Sequence, residues 1–159
     1  MAERAQYVTL GVAGELFAAP VGKVQEILEL RPIARLPQAP ANLLGMIDVR
    51  SQGVPVVDLR TTLGMPPGED NENTRIIVLS ISAAGRDVVL GLKADRVYEV
   101  TVLDEAELDP APEIGTTWTA DAIAGIGRRN GRFVTVLDLD RLFANPELGA
   151  LRAPTGHAA

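Results

Sequence analysis

The chain contains two diverged copies of one residue pattern. The segment 45–59 superposes on 125–139 at a constant offset of 80 residues. An earlier segment, 17–27, superposes on 90–100 at an offset of 73. A repeat of this length is too long for a solenoid unit and is typical of a duplicated small domain. The chain is therefore predicted to fold as two similar lobes.

Between these segments the alignment uses an offset of 72, which pairs Leu36 with Leu108 and Pro40 with Pro112. Because the offset then rises to 80, the second copy gains residues within the run 113–123.

The predicted division of the chain follows from this alignment. A first lobe covers about 5–66 and a second lobe about 74–144, joined by a crossing segment at 67–73 that is rich in Pro and acidic residues. Residues 145–159 lose the apolar pattern and are predicted to form a flexible tail. Exchange of terminal strands between the lobes is left open.

Short β-branched or alternating runs indicate an all-β fold with short helical turns. The predicted strands are 7–12, 16–20, 54–59, 75–82, 88–92 and 133–139, and the predicted helical segments are 21–30, 59–63 and 139–143. Hairpin turns are predicted at 13–14 and 84–85, and the Asn130-Gly131 pair favours a type I′ turn. Strands recurring at this spacing in a small unit usually form a compact barrel or sandwich.

Composition excludes several classes of chemistry. The 159-residue chain has no cysteine, and its only histidine, His157, is the third residue from the end of the sequence. Thiolate sites and histidine-based catalytic or metal sites are therefore not expected. A net charge of −6 argues against a general nucleic-acid binder. Without a signal peptide or a long apolar run, the protein is expected to be cytosolic and not to insert into a membrane.

Two small clusters offer alternative functions. Asp138 and Asp140 lie on the same side of a strand end, where they would suit a magnesium-dependent enzyme, although capping of the following segment is the favoured role. Basic residues beside Phe133 would suit a small-barrel module that binds single-stranded nucleic acid, although a solvated hairpin tip is favoured. Trp118 is a candidate interface anchor or a packing residue of the insertion.

The order and spacing of six segments resemble the CheW family of chemotaxis coupling proteins. The resemblance extends from about Tyr7 to Phe143, and its segments are 16–18, 24–27, 36–40, 45–60, 74–79 and 91–97. It implies two pseudo-symmetric, SH3-like five-stranded β-barrels and a non-enzymatic adaptor without a cofactor.

The resemblance also implies the partners. These are the regulatory domain of a CheA-type histidine kinase and the cytoplasmic tip of a methyl-accepting chemoreceptor, with other CheW-like proteins as further candidates. The expected location is cytoplasmic, at receptor arrays on the inner face of the membrane.

The partner-binding residues implied by the resemblance are Val24, Glu26, Gly45 and Arg50. Where the family motif has Asn-Leu-Arg-Gly, this chain has Asp48-Val49-Arg50-Ser51, so the motif glycine is lost. Gly53 is predicted to take over the positive-φ position. These departures leave open a divergent paralogue that serves a pilus pathway or another surface response.

Overall fold

The structure is a computed structural model that describes residues 5–83, 85–110 and 122–143. Trp118, the predicted tail 145–159 and most of the run 113–123 lie outside the described residues. The described strands are β1 (Tyr7–Val12), β2 (Glu15–Pro20), β3 (Val24–Glu29), β4 (Leu43–Val49), β5 (Gln52–Asp58), β6 (Arg75–Ala83), β7 (Arg86–Ala94), β8 (Arg96–Thr101), β9 (Ile123–Arg129) and β10 (Arg132–Leu137). The α-helices among these residues are α1 (Leu59–Thr62) and α2 (Leu139–Leu142).

The strands form two five-stranded sheets, which confirms the predicted all-β class. Sheet A has the order β8-β1-β2-β10-β9, and sheet B has the order β3-β6-β7-β5-β4. The short helices α1 and α2 follow β5 and β10, as the repeat predicts.

Each sheet combines strands from both repeats. Strands β1 and β2 of the first repeat lie in sheet A with β8, β9 and β10 of the second. Four pairings make these connections within the sheets: β10 with β2 and β5 with β7 are parallel, and β1 with β8 and β3 with β6 are antiparallel. The segment 67–73 therefore separates the two repeats along the chain. The β1–β2 hairpin, however, pairs with β8 and β10 of the second repeat and not with the other strands of residues 5–66.

The predicted helical segment 21–30 is wrong over most of its length. Only Val21–Lys23 forms a 3₁₀ turn, and the chain continues as strand β3. β3 pairs antiparallel with β6, and its residues alternate between half-buried and exposed. The ladder with β6 overrides the weak helical pattern because it satisfies backbone groups along the edge of sheet B.

Buried apolar side chains form three clusters. A central cluster lies between the sheets and includes residues of both, together with α1 and α2: Leu10, Phe17, Ile77, Leu79, Leu92, Leu137, Leu59 and Leu139 are among its members. A second cluster is confined to sheet B (Ile47, Val49, Val54, Val56 and Ile76). A third packs on sheet A and includes Leu103, which follows β8 (Ala18, Leu103, Val134 and Val136). Each sheet thus has an apolar cluster of its own, and the two sheets share the central cluster.

Equivalent glycines show where the two repeats correspond. A Cβ on Gly45 would lie 2.8 Å from the Ala34 carbonyl carbon, and a Cβ on Gly125 would lie 3.0 Å from the Asp109 carbonyl oxygen. In both repeats the segment before the strand crosses over the glycine and bridges the next residue, so that Ala34 pairs with Met46 and Asp109 with Ile126.

The offset between Ala34 and Asp109 is therefore 75 residues. It places Ile33, rather than Leu36, at the position of Leu108, and the predicted pairing of Leu36 with Leu108 is wrong. Leu36 instead lies on the surface, 41% exposed.

Two ion pairs connect the lobes at related positions. The Arg60 guanidinium donates to both carboxylate oxygens of Asp95 (3.0 and 2.6 Å), and the Lys23 ammonium donates to Asp140 (2.9 Å). Arg60 corresponds to Asp140 at the offset of 80, whereas Lys23 corresponds to Arg96, the residue after Asp95, at the offset of 73.

Each of these carboxylates also binds a backbone N–H of the opposite sheet. Asp95 accepts from Ala13 at the β1–β2 turn, and Asp140 accepts from Ser82 in β6. Hydrogen bonds from Arg60 hold the pKa of Asp95 below its usual range. For Asp140, partial burial favours the neutral form, but the Ser82 N–H and the Lys23 ammonium outweigh it and lower the pKa.

Asp95→Asn is expected to lower the free energy of unfolding by about 1 kcal/mol at pH 7, since the pair is partly exposed. A depressed folded-state pKa contributes stability above the unfolded pKa and loses it as pH falls through the folded value. The difference between wild type and Asp95→Asn should therefore shrink on acidification below about pH 4. Urea unfolding at several pH values measures it, with the exposed Asp87→Asn as control. A difference that grows toward acid would contradict the assignment.

Candidate functional site

The β4–β5 hairpin presents Arg50 on a tight two-residue turn. Arg50 and Ser51 have φ values of 54° and 68°, and the strands pair up to Val49 and Gln52. Positive φ at both central residues is the type I′ requirement. The prediction that Gly53 takes the positive-φ position is wrong, because Gly53 lies within β5 opposite Asp48. The turn therefore keeps its geometry without the motif glycine.

The side chains of Arg50 and Glu26 form a two-pronged ion pair, here called the clasp. Arg50 Nη1 lies 2.8 Å from Glu26 Oε2, and Nη2 donates to Oε1 at 3.2 Å. The Glu26 side chain is 22% exposed, whereas that of Arg50 is 78% exposed. The clasp thus joins edge strand β3 to the hairpin tip and leaves most of the guanidinium in solvent.

The other two predicted site residues lie deeper in the structure. Val24 begins β3, is half-buried and packs against the central cluster. Gly45 is buried in β4 with φ 149°, beneath the crossing residues Ile33 and Ala34. The structure therefore brings Glu26 and Arg50 into contact, whereas Val24 and Gly45 support the strands that carry them.

The second repeat contains a related pair. Arg129 Nε donates to Glu99 Oε2 at 3.2 Å, joining β9 to β8. Glu99 corresponds to Glu26, but its partner is the residue before the turn rather than a residue within it. An ion pair at this place is thus common to both lobes. The distinctive feature of the first lobe is the exposure of its arginine, since the Arg129 side chain is only 30% exposed.

Sequence reasoning missed Ile27 as an exposed residue of the strand that carries Glu26. Ile27 is 39% exposed on β3 and follows Glu26 directly. The segment 24–27 gives no clear alternation of apolar and polar residues, because its two apolar residues lie on opposite faces of β3 and a bulge lies between Val24 and Glu26 in the pairing with β6. Period-2 alternation counted backward from Glu29 would have identified its exposed side.

The alternative chemical sites are occupied by internal contacts. The Asp138 carboxylate accepts from the Arg141 N–H and caps α2, as favoured from the sequence, while Asp140 pairs with Lys23. Among the described residues no group of three or more metal-ligating side chains was found. The Arg128 guanidinium lies over the ring of Phe133, 4.8 Å from its centroid.

The turn at Asn130 and Gly131 has the predicted positive φ values, 54° and 81°. The Asp104 carboxylate accepts from both of their N–H groups. The hydrogen bond from Gly131, which has the larger effect, and the one from Asn130 both lower the pKa of Asp104. Among the described residues, none of the helices has the length and hydrophobicity that a membrane-spanning helix requires.

Comparisons with known proteins agree with this architecture. The model of the CheW-like domain matches residues 6–147. The chain is 28% identical over 142 residues to the chemotaxis protein CheW of Rhizobium meliloti, covering 89% of each chain. It is 31% identical over 127 residues to CheW of Bacillus subtilis, covering 80% of this chain and 79% of that protein.

A solved structure resembles this fold as well. The scaffolding protein TtCheW from Thermoanaerobacter tengcongensis matches with a TM-score of 0.77 and 26% identity, covering 91% of this chain and 96% of that one. The family match, the relatives and the duplicated five-stranded sheets lead to one conclusion: the chain belongs to the CheW-like family and is a non-enzymatic chemotaxis adaptor.

Proposed function

We propose that this adaptor couples the cytoplasmic tip of a methyl-accepting chemoreceptor to the regulatory domain of a CheA-type histidine kinase. The clasp between Glu26 and Arg50 is the observation that supports this proposal most strongly. It presents an exposed guanidinium, oriented by Glu26, on a two-residue turn. The proposed setting is the cytoplasmic array at the inner face of the membrane, and other CheW-like proteins are further proposed partners.

The clasp is well suited to contact a helical partner. A guanidinium offers five N–H donors in a fixed plane, and Glu26 uses two of them through Nη1 and Nη2. The remaining donors face solvent and can bind carboxylates or helix-end carbonyls of a partner. Because Glu26 already holds the side chain in place, less rotamer entropy is lost on binding.

The other proposed site residues have supporting roles. Ile27 adds an exposed apolar side chain on the face of β3 opposite to Glu26, and the half-buried Val24 sets the path of β3. Gly45 lets Ile33 and Ala34 approach β4, and β4 leads directly to the turn with Arg50. Its contribution to partner binding is therefore indirect, through the position of the hairpin.

Calorimetric titration tests the proposal. The full chain is titrated separately with the kinase regulatory domain and with a receptor-tip fragment from the same organism. Saturable binding to each partner is expected. Absence of binding to both would refute the proposed coupling and leave the adaptor without these partners.

A further inference from the structure

A surface cavity of about 450 Å³ lies beside β4 and β7 of sheet B. Its apolar wall consists of Leu30, Pro32, Ile33 and Leu44. This volume falls within the range of small-molecule sites, which are typically apolar with a few placed polar groups.

The charged residues of the cavity are Arg31, Arg35, Lys93 and Asp70, so positive charge is in excess. Lys93 Nζ lies 2.6 Å from an oxygen of Asp70, and the Lys93 side chain is only 17% exposed. Asp70 is thereby neutralised. Arg31 donates one N–H of Nη1 to the Asp48 carbonyl at 3.3 Å. Arg35 is exposed and forms no ion pair with another described residue.

The equivalent positions around sheet A show that the fold does not require these cations. The carbonyl of Asp48 corresponds to that of Arg128, which accepts instead from the backbone N–H of Asp104 at 2.7 Å. Arg31 is thus replaced by an acid at the equivalent place.

The other two cations, Arg35 and Lys93, are also replaced at the equivalent positions around sheet A. Lys93 corresponds to Pro20 at the offset of 73, and Arg35 to Pro110 at the offset of 75. Two guanidiniums and a lysine therefore line one cavity beside sheet B in a chain whose net charge is −6, and the equivalent positions around sheet A carry no cation.

We propose that this cavity binds an organic anion, a carboxylate attached to an aliphatic body. The carboxylate pairs with the guanidiniums of Arg31 and Arg35, which suit its planar geometry. The aliphatic body packs on Leu30, Ile33 and Leu44. The same chemistry is available from a free aliphatic acid or from an acidic residue beside leucine in a protein segment.

NMR titration of the full-length protein tests this site with hexanoate at constant ionic strength. The amide signals of the lining residues are expected to shift, above all those of Leu30, Arg31, Ile33, Arg35, Leu44 and Lys93. Arg35→Glu should weaken hexanoate binding about tenfold or more, the loss expected for a charge-assisted hydrogen bond. Arg132→Glu, at the exposed β9–β10 tip, makes the same charge change away from the cavity and should leave the affinity unchanged.

Two further ligands separate the requirements for charge and for the aliphatic body. Hexanol lacks the charge and inorganic phosphate lacks the body, and both are expected to bind more weakly than hexanoate. Equal binding of either, no shift with hexanoate, or no effect of Arg35→Glu would overturn the proposal.

An acetylated Leu-Asp-Leu-Glu amide distinguishes the two sources of the ligand. Tighter binding of this peptide than of hexanoate at the same amides supports recognition of a protein segment. Tighter binding of hexanoate supports a free acid. Both results support the site.

Discussion

Gly45→Val is expected to lower the free energy of unfolding by about 3–5 kcal/mol, from backbone strain and overpacking together. Gly45 has φ 149°, a conformation that a β-branched residue rarely adopts. Its added Cβ would lie 2.8 Å from the Ala34 carbonyl carbon. Because that neighbour is backbone within the bridge to Met46, it cannot move aside without breaking two hydrogen bonds of 2.8 Å.

Urea unfolding of wild type and variants measures this loss. Gly53→Ala is the matched control, because its Cβ meets only the flexible end of Met46 at 3.1 Å and its φ is not positive. Gly125→Ala should be intermediate, since it meets Leu108 and Asp109 without a positive φ. A Gly45→Val protein as stable as Gly53→Ala would show that Ile33 and Ala34 are not fixed over β4.

Arg50→Glu is expected to weaken binding of at least one proposed partner by about 30-fold or more, as for an interface hot spot. The change removes the exposed donors and places a carboxylate beside Glu26. Stability should fall by less than about 1 kcal/mol, because an exposed ion pair contributes little. Titration of both partners, with urea unfolding in parallel, measures the two effects separately.

Two controls separate recognition from folding. Arg132→Glu changes the same charge at the other hairpin and should leave binding intact. The double variant Glu26→Arg with Arg50→Glu restores an ion pair but presents a carboxylate at the tip. If the partner recognises the guanidinium of Arg50, binding stays weak, whereas restored binding would assign the clasp a purely structural role.

The strands predicted from the sequence are the interior strands of the two sheets. β1, β2, β5, β6, β7 and β10 each overlap a predicted run, whereas β3, β4, β8 and β9 do not, and these four are the sheet edges. Interior strands carry dense apolar runs, as β1 does with five consecutive buried residues. Edge strands are exposed on more sides: β8 has no fully buried residue and was missed. Single-sequence patterns detect burial, and edges provide little of it.

The repeat predicted the duplication but not the detailed geometry. Leu36 was aligned with Leu108 because both are leucines, whereas the bridges at Ala34 and Asp109 determine the true offset. The pairing of Glu26 with Arg50 was not predictable from spacing either. It depends on the turn at Arg50 and Ser51, which the offset of 80 aligns with the Asn130-Gly131 turn, and on the bulge in β3, which no residue pattern signalled.

A bridging measurement tests the central claim of coupling most directly. Receptor-tip fragments are anchored on beads and mixed with the kinase regulatory domain, with or without this protein. The account predicts that the kinase domain is retained only when this protein is present, in proportion to its amount, and that Arg50→Glu reduces the retention. Binding of each partner only in competition with the other, with no kinase domain retained through this protein, would contradict the account.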